Sequence, residues 1–499
     1  MPLRTPTPPD LTLGRRDVLR LLAGASGALL TGCAFGRATR SRTRGGTPNW
    51  TQLQNVVRGR LISRGARDYE SHRQAMVWNA VKSERFPAAI MHVESEVDVC
   101  EAIRFARQHD LKVAIRGGGH NWHNSALRQG GIMLDLSGLN ELQVNAQHRT
   151  AAVQPGVKGP ALMANLAPHG LAFPIAHDGA DVALSGYLLN GGLGWNYSVW
   201  GPACASIEAL DIVNAHGELI RADERQNADL FWAARGAGPG FFGVVTRFHL
   251  RVQPLPKAML RSTLTYPIEA IDKVAAWLPL LARSVPANVN WRCLALGARD
   301  GTGARLVILA VAFADSDSDA RDALGAFGAE PAGLTAIWKD LYRAVSVENV
   351  FGRADAVVPD SPRYLGDELW SNASPQELLT SMRSGLLATQ STGSFVMLWF
   401  SHRKGWLQQP DMAFSRSGST LVGVYGIWSD AAEDSEKQAW VRTTIASVDP
   451  LKVGHYAGTS DLTFAPDRAK QCFSPSAWDK LGQLKRKYDP DDVFFSYLR

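Results

Sequence analysis

Residues 113–127 read VAIRGGGHNWHNSAL: an apolar run that stops at Arg116, three glycines, then His120 and Asn121. The run over 111–116 has the composition of a short buried strand, and it feeds straight into Gly117, Gly118 and Gly119. Glycine at a strand end lets backbone N–H groups approach a phosphate or a ring edge with no Cβ in the way. Two more clusters follow, at 190–195 (NGGLGW) and 236–240 (GAGPG). None has the G-x-G-x-x-G spacing, which disfavours a Rossmann dinucleotide site. Each alone is a turn signal, and their order along the chain carries the information.

Working outward, Ser95 is placed to cap a helix over 95–108, with Asp98 at its third position and Val99, Ile103 and Ala106 on one face. Short strands are expected over 132–136 and 151–154, a helix over 159–167, a hairpin from 207–214 and 218–221, a helix over 228–235 and a strand over 244–252. Gln253-Pro254-Leu255-Pro256 marks the clearest internal boundary, because two prolines break strand pairing. Beyond it come longer strands over 288–296, 306–313, 394–402 and 420–428, with helices near 268–283 and 430–447, the pattern of an antiparallel sheet covered on one face. A last helix of about three turns precedes Tyr488-Asp489-Pro490.

At 499 residues the chain exceeds what one core usually supports, so at least two domains are expected. Its formal charge of +6 is carried by residues 1–44, which leaves a neutral body without the clustered basic surface that nucleic acid requires. Arg15 and Arg16 precede an interrupted apolar run over 18–30, too short for a membrane span, and the pattern looks like a twin-arginine signal. Leu30-Thr31-Gly32-Cys33 resembles a lipobox, which points to an exported, periplasmic-side lipoprotein anchored through Cys33, with residues 34–49 as a tether. Cys100, Cys204, Cys293 and Cys472 show no pair spacing for a metal site, and buried free thiols or disulfides are both compatible with them.

The runs VAIRGGGHNWHNSAL, LDLSGLNEL, VQPGV, SGYLLNGGLGWNYSVWG, DLFWAARGAGPGFFGVVTRFHL and KYDPDDVF together resemble the berberine-bridge-enzyme-like branch of the vanillyl-alcohol oxidase and p-cresol methylhydroxylase flavoproteins. The likeness is strong over 80–257 and over the last thirty residues, and holds only in outline between them. It implies an α+β fold: a two-part FAD-binding domain of the PCMH type (50–257 and 463–499) with an inserted antiparallel-sheet substrate domain (258–462). It also implies that His120 bonds covalently to the 8α-methyl of FAD. The chemistry is reasonable in itself, since an imidazole nitrogen can add to that electrophilic carbon and the flanking glycines admit the ring. Where many relatives carry a second, cysteinyl link, this chain has Gly179, so attachment by His120 alone is expected.

By the same resemblance, Gly117, Gly118, Gly119 and Asn121 cradle the pyrophosphate, Arg116 belongs to the same cofactor-binding run, and Gly186, Gly191, Gly192 and Gly194 line the flavin. Gly243, Val244 and Val245 contact it by backbone, and Val182 is the small residue over its reactive face that favours reaction with oxygen. Tyr187 stands where relatives place a histidine near N1, and Phe241 replaces an asparagine. The expected catalytic base is Tyr456, in GHYAGTSDL, where Gly458 replaces a usual asparagine; behind it stand Tyr425, His402, Asp367 and Glu368. His123 is read as structural. The function implied is an oxidase moving a hydride from a hydroxyl-bearing small molecule (a sugar, alcohol or related metabolite) to flavin, with O2 reduced to H2O2. The alternatives are a dehydrogenase serving a quinone or cytochrome, and a flavin-fold binding module without turnover. Nothing in the chain specifies an oligomeric state.

Overall fold

The strand leading into the glycine run is present but shorter than expected. In the computed structural model, which describes residues 48–176, 182–297, 303–351, 362–388, 393–402 and 409–498, it spans Val113–Arg116. The signal, most of the tether, Cys33 and Gly179 lie outside the described residues. A first sheet contains β1 (Arg60–Ser63), β2 (Ala89–His92), β3 (Val113–Arg116) and β4 (Ile132–Asp135) in the order β1-β2-β4-β3, with β2 and β3 both parallel to β4. Parallel strands need a crossover, and the helix Glu96–Gln108 supplies it. Ser95 starts that helix through a capping box with Asp98, and Val99, Ala102, Ile103 and Ala106 bury its apolar stripe.

A second, antiparallel sheet orders as β5-β6-β10-β8-β9, from β5 (Leu142–Asn145), β6 (Thr150–Val153), β8 (Ile207–Val213), β9 (Leu219–Asp223) and β10 (Val244–Arg251). The short β7 (Leu171–Ala172) pairs with β11 (Gln253–Pro254). The chain's last residues return to the first sheet. The Val113 N–H donates to the Val493 carbonyl at 2.7 Å, the Phe495 N–H donates back to Val113 at 3.0 Å, and Phe494 is fully buried. The part that carries the glycine run is therefore assembled from distant stretches of the sequence.

Between them lies an eight-stranded antiparallel sheet, β15-β12-β14-β13-β17-β18-β16-β19. Its strands are β12 (Ala258–Pro267), β13 (Val289–Leu296), β14 (Arg305–Ala314), β15 (Trp338–Ala344), β16 (Arg363–Ser371), β17 (Phe395–Phe400), β18 (Thr420–Trp428) and β19 (Lys452–His455). Helices Ile271–Ser284 and Asp434–Ala446 cover one face, where Val274, Leu278, Cys293, Val396, Val424, Val441 and Ile445 form a continuous core. Of these strands, β12, β15, β16 and β19 were not expected from sequence. Cys100, Cys204, Cys293 and Cys472 are free thiols. Among the described residues no helix is long and apolar enough to cross a membrane.

Candidate active site

The open face of the large sheet and the glycine run border a cavity of about 1310 Å³. On one side it is lined by Arg116, Gly117, Gly118, Gly119, His120 and Asn121, by Val182, Gly186 and Tyr187, and by Phe241, Gly243 and Val245. The glycines are required by close packing. A Cβ on Gly117 would sit 2.0 Å from Ser185 Oγ, and one on Gly118 would sit 2.8 Å from Ala183 Cβ. Gly119 adopts φ +69° and leaves no room for a Cβ beside the Met76 carbonyl, 2.4 Å away. Arg116 holds the turn from within: Nη1 donates to Asp135 at 2.6 Å, Nε to the Met76 carbonyl at 2.8 Å and Nη2 to the Gly118 carbonyl at 3.1 Å. Burial pushes the Asp135 carboxyl up, but His92, Arg116 and Ser137 outweigh it and hold the group below its usual range.

Several expected residues act differently. The Asn121 side chain, on the cavity wall, accepts from the N–H groups of His123 and Ser125 and donates to the Gly458 carbonyl at 3.2 Å, so it also clasps a loop. Gly191, Gly192, Gly194 and Val244 do not border the cavity. Gly191 and Gly192 have positive φ and pack against Phe414 and Tyr187, and Val244 points from β10 to the side opposite Val245. Tyr187 spends its hydroxyl on the Pro174 carbonyl at 2.6 Å and offers only its ring. His402 lies off the cavity past the end of β17, with Nε2 on the Val285 carbonyl, which removes it as a candidate base. Asp367, on the reverse face of β16 from Glu368, pairs with Arg468 and accepts from the Asp461 N–H. His123 is structural, as expected: Nε2 meets the Thr459 carbonyl at 3.1 Å and Nδ1 faces Asp461 at 3.4 Å.

The opposite wall belongs to the sheet. Cross-strand register places Leu294, Met397, Gly423 and Glu368 in one row, with Leu296, Phe395, Tyr425 and Gly366 in the next. Trp78, Trp122 and Tyr364 close the space near His120; the Trp78 indole donates to the His120 carbonyl at 2.7 Å and the Trp122 indole to the Gly366 carbonyl at 2.8 Å. Glu368 is the one acidic side chain among the lining residues. It is buried, and its two carboxylate oxygens accept from the Tyr425 and Thr459 hydroxyls. Burial pushes its pKa up to about 7, against the lowering effect of those two donors. Tyr456 also lines the cavity, but burial, reinforced by the Glu368 charge, drives its phenol well above the usual range despite the Gly192 and Leu193 amides. Tyr425 is driven up for the same reasons. Both phenols are therefore donors at neutral pH, and the group poised to accept a proton is Glu368.

The FAD binding domain family matches residues 87–223. Over 425 residues the chain is 29% identical to the FAD-linked oxidoreductase nodO of Hypoxylon pulicicidum, covering 85% of this chain and 93% of that one. It is 26% identical to (R)-6-hydroxynicotine oxidase of Paenarthrobacter nicotinovorans, covering 84% and 92%. The chain is an oxidoreductase with an FAD binding domain. The fold of the oxidoreductase is that of the berberine-bridge-enzyme-like proteins: Physcomitrella patens BBE-like 1 superposes with TM-score 0.75 at 19% identity, over 90% of this chain and 98% of that one. The oxidoreductase's own residues fit the cofactor. Ser185 Oγ and Asn190 Oδ1 line the cavity, are buried, and have no partner among the described residues, as polar atoms awaiting a ligand would. The glycine run beside them leaves backbone within reach.

Proposed function

We propose that the oxidoreductase oxidises a hydroxyl-bearing small molecule at the carbon that carries the oxygen, with Glu368 as the base. FAD, joined to His120, supplies the acceptor for the hydride, and O2 takes the electrons onward to H2O2. The observation that carries this reading is Glu368 itself: a lone acid on the cavity wall, buried, with its pKa near 7 and two hydroxyls fixing its orientation. A carboxylate so tuned takes the hydroxyl proton as the C–H bond breaks, while Tyr425 and Thr459 hold its oxygens in place. Tyr456, kept protonated, donates to the substrate oxygen from the loop that closes the cavity.

In Glu368→Gln, which keeps shape and removes basicity, anaerobic flavin reduction should slow about a hundredfold or more with FAD content unchanged. Reduction at the wild-type rate would eliminate Glu368 as the base. His120 is supported as the attachment site by its place on the wall directly after the glycine run. His120→Ala should release a flavin that otherwise stays with acid-precipitated protein. Oxidase activity over the quinone- or cytochrome-linked alternative is supported by Val182 on the same wall. Mixing anaerobically reduced enzyme with O2 should restore the oxidised spectrum rapidly and yield H2O2; a slow return favours the alternative. Export as a lipoprotein is proposed from Arg15, Arg16 and the residues around Cys33. Labelled palmitate should enter the wild-type chain and not Cys33→Ser.

A further inference from the structure

The sheet wall beside Glu368 carries apolar side chains that the fold leaves open. On β13 and β17 the residues facing the helices, Cys293, Ala295, Val396 and Leu398, are buried, while the alternating residues facing the cavity, Leu294, Leu296, Phe395 and Met397, remain part-exposed. Large apolar groups held open inside a cavity are the mark of a site whose occupant supplies the missing contacts. The register makes this patch continuous with Glu368. From Leu294 through Met397 and Gly423 to Glu368 is one cross-strand row, three strand spacings long, or roughly 14 Å. The Tyr425 ring lies over Gly423 and stacks on Phe395 with centroids 4.5 Å apart, so the floor between patch and base is itself aromatic.

We infer that this wall is the substrate-selecting subsite, and that the substrate is an alcohol with an apolar body of two or three rings. Its reacting carbon lies at Glu368 and its body lies across Tyr425, Phe395, Met397 and Leu294. The inference rests on Glu368 marking the reacting end. A monosaccharide would leave Leu294, Leu296, Phe395 and Met397 uncovered and bring hydroxyls against those four side chains, which cannot pair with them, although Arg292, Arg305 and Ser394 also line the cavity. Within the proposed function it selects the apolar alcohol over the sugar.

Glu368→Gln holoenzyme with its flavin reduced beforehand and kept free of O2 cannot turn over, which allows binding to be measured apart from chemistry. By isothermal titration calorimetry it should bind 2-naphthalenemethanol at least tenfold more tightly than D-glucose. Adding Met397→Gln, nearly equal in volume but polar, should weaken the naphthyl alcohol about tenfold and leave glucose unmoved. Glucose binding as tightly as the naphthyl alcohol, or no saturable binding of the latter, overturns the inference. Loss of the base assignment would appear elsewhere, as undiminished flavin reduction in Glu368→Gln, and would leave these affinities unchanged.

Discussion

Two glycines shape the group that matters most. A Cβ at Gly423 would fall 2.6 Å from the Tyr425 hydroxyl, and one at Gly366 would fall 2.7 Å from the same ring's edge. Both absences let Tyr425 lie flat on the sheet and reach Glu368, the cross-strand partner of Gly423. Gly423→Ala should therefore lift the hydroxyl away from the carboxylate. That hydrogen bond lowers the Glu368 pKa, so its loss raises it further. The rising limb of flavin reduction against pH, near pH 7 in the wild type, should move to higher pH, with the rate at pH 6 falling roughly threefold to tenfold and converging again in alkaline buffer. A uniform loss at every pH would mean that the substitution merely disturbs packing. Glu368 also has a cost. Its folded pKa stands above that of an exposed glutamate, so the folded state holds the proton longer than the unfolded chain does. The linked stability is intact at acid pH and declines as pH rises toward about 7. Glu368→Gln should raise the melting temperature at pH 8 and change it little at pH 5.

Strand β16 carries Tyr364 and Glu368 into the cavity, and Asn79 fixes its position. This fully enclosed amide donates to the Trp122 carbonyl at 2.9 Å and to the Tyr364 carbonyl at 2.8 Å, and accepts from the Tyr364 N–H at 3.1 Å, which ties the glycine-run loop to the strand bearing Glu368. Asn79→Ala strands these backbone groups away from water and should cost about 2–3 kcal/mol. Flavin reduction should slow in parallel while FAD stays bound; unchanged denaturant midpoint and kinetics would show that the link is idle. The same strand shows where sequence reading ran out. VAIRGGGHN announces itself, because three glycines end a strand and two further clusters follow in order, and Ser95 with Asp98 announces its helix. By contrast, RYLGDELWS interrupts its apolar alternation with Gly366, Asp367 and Glu368, three residues that read as a loop. Those interruptions shape the cavity wall: Gly366 makes room for Tyr425, Glu368 faces the cavity, and Asp367 braces the reverse side against Arg468. Tyr456 and Tyr425 were legible as cavity residues, but their burial, which fixes them as donors, depends on contacts between distant strands.

At the scale of the whole molecule, the cofactor part closes only when the C-terminal segment meets the first sheet. The helix Pro475–Tyr488 begins at Ser474, whose hydroxyl accepts from the Ala477 N–H, and is followed by Asp489, which organises everything after it. The Asp489 carboxylate accepts from the Val493 N–H at 2.7 Å, from the Phe494 N–H at 3.2 Å and from Lys485 Nζ at 2.8 Å, all almost shut off from solvent. The segment so held pairs with Val113 on β3 and places Phe495 on the cavity wall beside the glycine run. Asp489→Ala leaves the Lys485 ammonium with only Asp492 and frees two buried N–H groups, a loss of about 3–5 kcal/mol by comparison with other broken buried pairs. Because β3 ends in the turn that leads to His120, a loosened C-terminal segment should show first as poor flavin incorporation and only then as general instability. Asp489→Ala should purify with a lower ratio of visible flavin absorbance to protein absorbance than wild type. A chain ending at Tyr488 should carry no flavin, even where circular dichroism shows the large sheet folded. Full flavin occupancy in the shortened chain would mean that the glycine run holds its shape without the returning segment, and that the second part of the FAD domain only covers what the first has already built.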